Sequence, residues 1–495
     1  MLFNSYSFLL FFPIVTLVYF IIPKKIRYIW LLAASYYFYM GWNAKYALLL
    51  LTSTMITYLS GLLLAAVKPE AKHEKLLKKS VVALSFGSNL AILFFFKYFD
   101  FVIENINAVL SSFHMELLNP EFDVLLPVGI SFYTFQALSY TMDVYRGDIK
   151  AEKNPFRYAL FVSFFPQLVA GPIERSGNLL RQLHEDQKFS YERMCDGLML
   201  MTWGFFLKLV VADRIAIFVD TVYGTEVLYD GKYLLLASVL FAFQIYCDFA
   251  GYSTIAVGAA RIMGFELMEN FNCPYYAQSV AEFWRRWHIS LSTWFRDYLY
   301  IPLGGNRKGK ARKYINTMIV FLVSGLWHGA NWTYVIWGGL NGLYQVIGGL
   351  LMPLKKKLYA ALPVLEKSKL LVLPRILITF VLVDFTWIFF RADSLTHAAD
   401  VIDRILHMNN PELLANGTLF DLGLNQKNFV VLLVALVILL LADIAKYHQI
   451  KIREVILGFT IVHRWLIIIA SVLGILLFGI WGSGYEEVNF IYFQF

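Results

Sequence analysis

The stretch Ser324 to Trp332 reads SGLWHGANW and puts an imidazole among tryptophans, glycines and an asparagine, inside a run otherwise apolar enough for lipid. An ionisable side chain at membrane depth is costly unless it faces a cavity or a partner, so His328 is a functional-site candidate by default. Two uses compete for it. As helix–helix glue, the ring would be neutral and hydrogen-bonded to Asn331 or to a carbonyl. As a catalyst, it would sit in a pocket lined by Trp327, Asn331 and Trp332, and the Gly, Trp and Asn around it favour this second use. Burial disfavours the imidazolium form, which leaves a neutral ring able to take a proton from an attacking hydroxyl as a general base. The chain has no GxSxG and no HExxH, which argues against a serine hydrolase or a zinc protease. Nor does it offer a convincing serine or aspartate pair for an intramembrane protease. A base without its own nucleophile points to a substrate that brings the hydroxyl, and acyl transfer from a thioester to an alcohol fits that inventory.

A second candidate lies in SVAEFWRRWHISLSTWFRDYLY. At ~100° per residue, Val280, Trp284, Trp287, Leu291, Trp294 and Tyr298 form one stripe, while Glu282, Arg285, Arg296 and Asp297 lie on the other side. The pattern predicts an interfacial amphipathic helix over residues 279–300. His288 falls at the border of the stripe. It is either an interfacial histidine that snorkels or a group at the cytoplasmic mouth of a cavity, where Trp284 and Arg285 would belong to a donor pocket. Immediately downstream, GGNRKGKARK approaches a phosphate loop at Gly304, Gly309 and Lys310. Ala311 stands where a hydroxyl would bind Mg²⁺, however, and no strand precedes it, so nucleotide hydrolysis is discarded. The basic residues could attract the phosphates of a coenzyme or an acidic acyl carrier, but anchoring on anionic membrane lipid is the simpler role. Cys195, Cys247 and Cys273 lie too far apart for a CxxC pair, so no metal site, redox motif or bound cofactor is expected.

The elements that must hold these residues follow from composition. Of 495 residues, 59% are hydrophobic and 16% charged, far more apolar than an ordinary soluble domain. The expected spans are Met1 to Pro23, Tyr28 to Trp42, Tyr46 to Val67, Ser80 to Phe96, Val124 to Met142, Tyr158 to Ala170, Leu198 to Val211, Tyr233 to Ala260, Tyr314 to Met352, Ile376 to Phe390, Phe429 to Ala442 and Trp465 to Trp481. A hydrocarbon core takes ~20 apolar residues per helix, so these make about ten to twelve crossings. Met1 to Pro23 lacks the basic start and small-residue cleavage site of a signal peptide and reads as a retained span. Breaks such as LPVGISF and LVAGPIE survive in a membrane only where protein or a wet cavity satisfies the freed backbone, which suggests a polar interior. With no fixed-period repeat and no low-complexity linker, residues 1–495 read as a single integral-membrane domain.

The formal charge of +8 is unevenly placed, and basic loops stay cytoplasmic. Lys24 to Arg27, Lys68 to Lys79, Arg307 to Lys313, Lys355 to Lys369 and Lys446 to Arg464 are expected inside. His114 to Asp123 and Pro411 to Asp421 are expected outside, as are both chain ends. If Arg312 and Lys355 share one side, the segment between them must enter and return, with its break at Gly325 to Asn331. The basic balance reports this bias, and nucleic-acid binding is not expected.

Taken together, FWRRWHISLSTWFRDYLYIPLGGNR, SGLWHGANWTYVIWGGLNG, LPVGISFYTFQALSYTMDVYRG and FVSFFPQLVAGPIER closely resemble the membrane-bound O-acyltransferase family, within it the bacterial branch that includes the alginate O-acetylation membrane subunit. The likeness runs through most of the chain. It implies an all-α polytopic protein, a ring of helices around a thinned centre with a funnel to each face. His328 matches the family histidine at the neck, and His288 the second family histidine on the cytoplasmic approach. The implied donor is a cytoplasmic acyl thioester, acetyl-coenzyme A as co-substrate, and the implied acceptor an extracytoplasmic polysaccharide or a partner acetyltransferase. In the tail, residues 484–495, FIYFQF resembles the C-terminal motif of small partner proteins in D-alanylation systems. That likeness implies an acyl relay on Tyr492, against the plainer reading of an aromatic belt. The expected location is a bacterial cytoplasmic membrane. Two alternatives stay open: D-alanyl transfer to a cell-envelope polymer, and a polymer or lipid transporter without covalent chemistry.

Overall fold

The computed structural model describes residues 1–68, 73–119, 126–169, 171–224, 229–363, 368–408, 417–482 and 490–491, and among them it is helical with no β-strand. Seven helical segments are long and apolar enough to cross a membrane: Ala44–Ala66, Glu74–Lys97, Gly231–Met263, Trp332–Ala361, Lys369–Arg391, Gln426–Tyr447 and Ile461–Phe478. Tyr6–Ile21 is a shorter apolar helix. Other expected spans are built differently. Tyr158 to Ala170 becomes two short helices, Pro155–Ser163 and Phe165–Leu168, and Leu198 to Val211 belongs to a long helical run with a π-helical stretch, Phe206–Ala212. The tail expected over 484–495 is described only at Phe490 and Ile491, so Tyr492 lies outside the described residues.

The packing falls into two compact units, Met1–Met201 with Ile255–Met268, and Thr202–Thr254 with Glu269–Phe495. The first holds an aromatic cluster in which Phe11 and Phe38 meet Phe165 at 5.3 and 5.7 Å between ring centroids. Its buried hydroxyls are tied to one another: Tyr158 donates to Thr57 Oγ1 at 2.7 Å, and Ser53 to Asn89 Oδ1 at 2.6 Å. Such pairs satisfy polar atoms that lipid could not. The break in LPVGISF has a specific cause. Gly129 caps the helix Ile130–Arg146 at φ 75°, and a Cβ there would lie 2.8 Å from the Leu168 carbonyl oxygen. Only glycine meets both demands.

The second unit carries both candidate histidines. Its last spanning helix leaves Leu466, Leu473 and Leu477 more than half exposed, the side-chain pattern of a face turned to hydrocarbon. The stretch 279–300 is not one helix. It is built as Val280–Arg286, a break at Trp287 and His288, Ile289–Phe295, and a π-helical turn Arg296–Tyr300. The stripe is assigned to the right residues but faces protein: Trp284, Trp287, Leu291 and Trp294 are buried, and Trp287 packs on Phe271 and Trp387 at 5.1 Å. A helical wheel cannot tell lipid from protein, because both reward the same apolar stripe.

Candidate active site

His328 is the last residue of the helix Gly309–His328, and Gly329 leaves it in extended backbone. The chain turns at once into Trp332–Ala361, so the two helices form a hairpin with its break at the expected residues. The turn is fixed by Asn331, whose Oδ1 accepts from Thr333 N at 3.0 Å as an N-cap while its Nδ2 donates to the Asp393 carbonyl at 3.1 Å. Glycine permits the close return. A Cβ on Gly325 would stand 2.3 Å from the Tyr334 carbonyl oxygen, and one on Gly338 2.3 Å from that of Phe321. The two backbones therefore touch without intervening side chains, as small residues allow in membrane helix pairs.

Aromatic rings wall the imidazole. Trp327, Trp337 and Phe390 stand 4.9, 5.0 and 5.6 Å from His328 between centroids, and His328 is 3% exposed. His288 approaches to 6.5 Å. It is 0% exposed, at φ 42°, with its ring edge-on to Phe249 at 4.6 Å. Snorkelling is thereby overturned: the ring points into protein. A non-glycine residue in the left-handed region is costly and concentrates at functional sites. Asn270 holds this conformation, its carbonyl accepting from Ile289 N at 2.9 Å and its Oδ1 from Ser290 N at 3.3 Å. Burial pushes the His288 imidazole down to about 3, so it is neutral at any working pH.

One polar residue ties the box together. Asn341 accepts from Trp284 Nε1 at 3.1 Å and donates to the Trp337 carbonyl at 2.9 Å and to Thr386 Oγ1 at 3.2 Å. It links three helices behind the His328 wall. Replacing Asn341 with alanine leaves the Trp284 N–H buried without this acceptor, at a cost of about 1–3 kcal/mol. A lowered thermal midpoint of the detergent-solubilised protein is the expected reading; an unchanged midpoint would remove Asn341 from the support of the site.

Of the residues expected from sequence, His328, His288, Trp327 and Trp284 are brought together. Asn331 serves the turn as a cap. Trp332 is 50% exposed and Arg285 is also exposed, so neither is enclosed with the imidazoles. Trp337, Phe390, Phe249 and Asn341 were missed. Among the described residues there is no cluster of three or more metal-ligating side chains.

Two buried imidazoles walled by aromatic rings can move a proton to or from an oxygen. The reaction class is decided by kinship. Residues 3–359 match the model of the MBOAT, membrane-bound O-acyltransferase, family. The chain belongs to that family. This membrane-bound O-acyltransferase is 40% identical over 403 residues, 81% of its length and 79% of the relative's, to a Pseudomonas putida protein described as "Probable alginate O-acetylase AlgI". It is 36% identical over 445 residues to the peptidoglycan O-acetyltransferase of Helicobacter pylori, covering 83% of this chain and 81% of that one. A teichoic acid D-alanyltransferase of Bacillus subtilis is 29% identical over 46% of this chain and 59% of its own. The O-acyltransferase is thus an all-α, multi-pass membrane enzyme, as its apolar helices require.

Proposed function

We propose that this O-acyltransferase moves an acetyl group from a cytoplasmic thioester, acetyl-coenzyme A, toward a polysaccharide outside a bacterial cytoplasmic membrane, with His328 as general base. The observation that carries the reading is the buried His328–His288 pair, 6.5 Å apart inside the aromatic box. In this reaction His328 takes the proton of an attacking hydroxyl, the oxygen bonds to the thioester carbonyl carbon, the C–S bond breaks, and the proton leaves with the thiol. Nearby N–H groups would stabilise the oxyanion. The first acceptor in this proposal is the Tyr492 phenol, which passes the acetyl group to the polymer or to a partner acetyltransferase. Because His328 is 3% exposed, the Trp and Phe walls must part for the thioester and close behind it, which keeps water from the activated carbonyl. The basic run Arg307 to Lys313 would meet the phosphates of the donor, or those of an acyl carrier.

Acetyl is favoured over D-alanyl because the relatives named for O-acetylation match along about four-fifths of the chain, while the D-alanyltransferase matches along 46%. The test is to incubate the purified protein in liposomes with radiolabelled acetyl-coenzyme A. Release of coenzyme A with label on the C-terminal peptide or on added polysaccharide is expected. Consumption of a D-alanyl carrier thioester instead would replace the acetyl reading. Consumption of neither thioester would contradict acyl transfer.

A further inference from the structure

A buried charge cluster in the second unit has no part in the chemistry above. Lys208 is 0% exposed, and its Nζ lies 2.8 Å from Asp213 Oδ1 and 2.7 Å from Asp248 Oδ1. The cation sits in the π-helical stretch Phe206–Ala212. Such π-turns inside helices are frequent at functional sites. Gly251 lets the helix Gly231–Met263 approach that turn, since a Cβ there would lie 2.8 Å from the Gly204 carbonyl oxygen and 3.1 Å from Lys208 N. One lysine against two aspartates leaves a formal excess of negative charge. Buried charge persists only when its remaining lone pairs find donors.

One donor comes from the end of the chain. The backbone N–H of Ile491 donates to Asp248 Oδ2 at 2.7 Å, so Asp248 gives one oxygen to Lys208 and the other to the tail. Phe490, 0% exposed, packs on Tyr252 and Phe249 at 4.7 and 5.6 Å. Phe249 in turn stands 4.6 Å from His288. The π-turn and the helix that follows it also hold the segment where it leaves the last span: Ile480 N donates to the Leu209 carbonyl at 2.9 Å, and Arg214 Nη2, in the helix Asp213–Tyr223, to that of Phe478 at 2.6 Å.

We propose that the Lys208–Asp213–Asp248 cluster is the dock of the chain's own C-terminal segment, and that Asp248 is a positioning residue fixing Phe490 and Ile491 one aromatic ring from His288. The positioning half rests on the acyl-transfer reading, while the docking half does not. A buried carboxylate suits this task because it grips a backbone N–H whatever the side chain, while the Phe490 ring supplies register. Tyr492 follows Ile491 directly in the chain, so the dock fixes the point from which the relay residue starts.

The test uses full-length protein purified in detergent, digested with carboxypeptidase and followed by intact mass spectrometry, with acetyl transfer measured on undigested aliquots of the same preparations. Asp248→Ala leaves the neutral Lys208–Asp213 pair, and Phe490→Ala leaves the whole cluster, so a folding defect in one does not silence the other. Wild-type protein is expected to resist trimming beyond Ile491. Both variants are expected to be trimmed past Phe490 and to lose transfer on the order of 10²-fold, the scale set by misplacing a reacting group by about 1 Å. Wild-type resistance in both variants would overturn the dock. Trimming with wild-type transfer would overturn the positioning role. His328→Ala separates the two readings: it should stop transfer while leaving resistance at Ile491 intact.

Discussion

His328→Ala is expected to lower acetyl transfer by on the order of 10²–10⁴-fold, the usual worth of a positioned general base, while the protein still inserts and purifies as a folded species. The ring meets Trp327, Trp337 and Phe390, but the turn that presents it is held by Asn331 and by the Gly325 and Gly338 contacts, none of which uses the imidazole. The backbone should therefore survive the change. A pH profile sharpens the assignment. Because burial holds His288 near 3, it stays unprotonated from pH 5 to 9 and contributes no limb to the rate across that range. An acid limb there belongs to another group, and it should vanish in His328→Ala if that group is His328. Initial rates of coenzyme A release across that range decide the matter.

Gly338→Val should be the most damaging change in the hairpin. Its Cβ alone would sit 2.3 Å from the Phe321 carbonyl oxygen and 3.1 Å from Gly325 Cα, and a backbone obstacle cannot swing aside. Overpacking costs about 1–3 kcal/mol where side chains can adjust, so a clash between two backbones should exceed that range. Separating the helices would also move His328 away from Phe390 and Trp337. We expect loss of monodisperse protein, or a surviving fraction with transfer below that of Gly348→Ala. Gly348 is the control: nothing lies within 4 Å of its added Cβ, and alanine in a helix should gain about 0.5–1 kcal/mol. Equal thermal midpoints for the two variants would show that the seam does not depend on backbone contact.

The hairpin was legible because its signal is local. Glycines at the break and a histidine among tryptophans mark the turn of a helical hairpin without knowledge of the rest. The aromatic stripe of 279–300 was legible too, but its break was not. His288 takes the left-handed conformation because Asn270 grips Ile289 and Ser290, and no helical periodicity registers a contact from a residue outside the helix. Arg285 and Trp332 were drawn into the expected pocket by nearness in sequence, yet in a helix adjacent residues point about 100° apart. The dock was invisible for a stronger reason. Lys208, Asp248 and Ile491 are joined only by the fold, and Lys208 sits in a π-turn that an apolar pattern does not announce. A lone lysine in GFFLKLVV and a lone aspartate in YCDFAG were the available signals.

Chemical rescue is the most direct test of the claim that a buried imidazole is the base. His328→Ala leaves a ring-sized space bounded by Trp327, Trp337 and Phe390, and single-turnover acetyl transfer would be followed as free imidazole is added. The account predicts a transfer-deficient variant whose rate rises with imidazole to a plateau and rises with pH as the added base becomes neutral. Wild-type turnover in that variant with no imidazole present would contradict it.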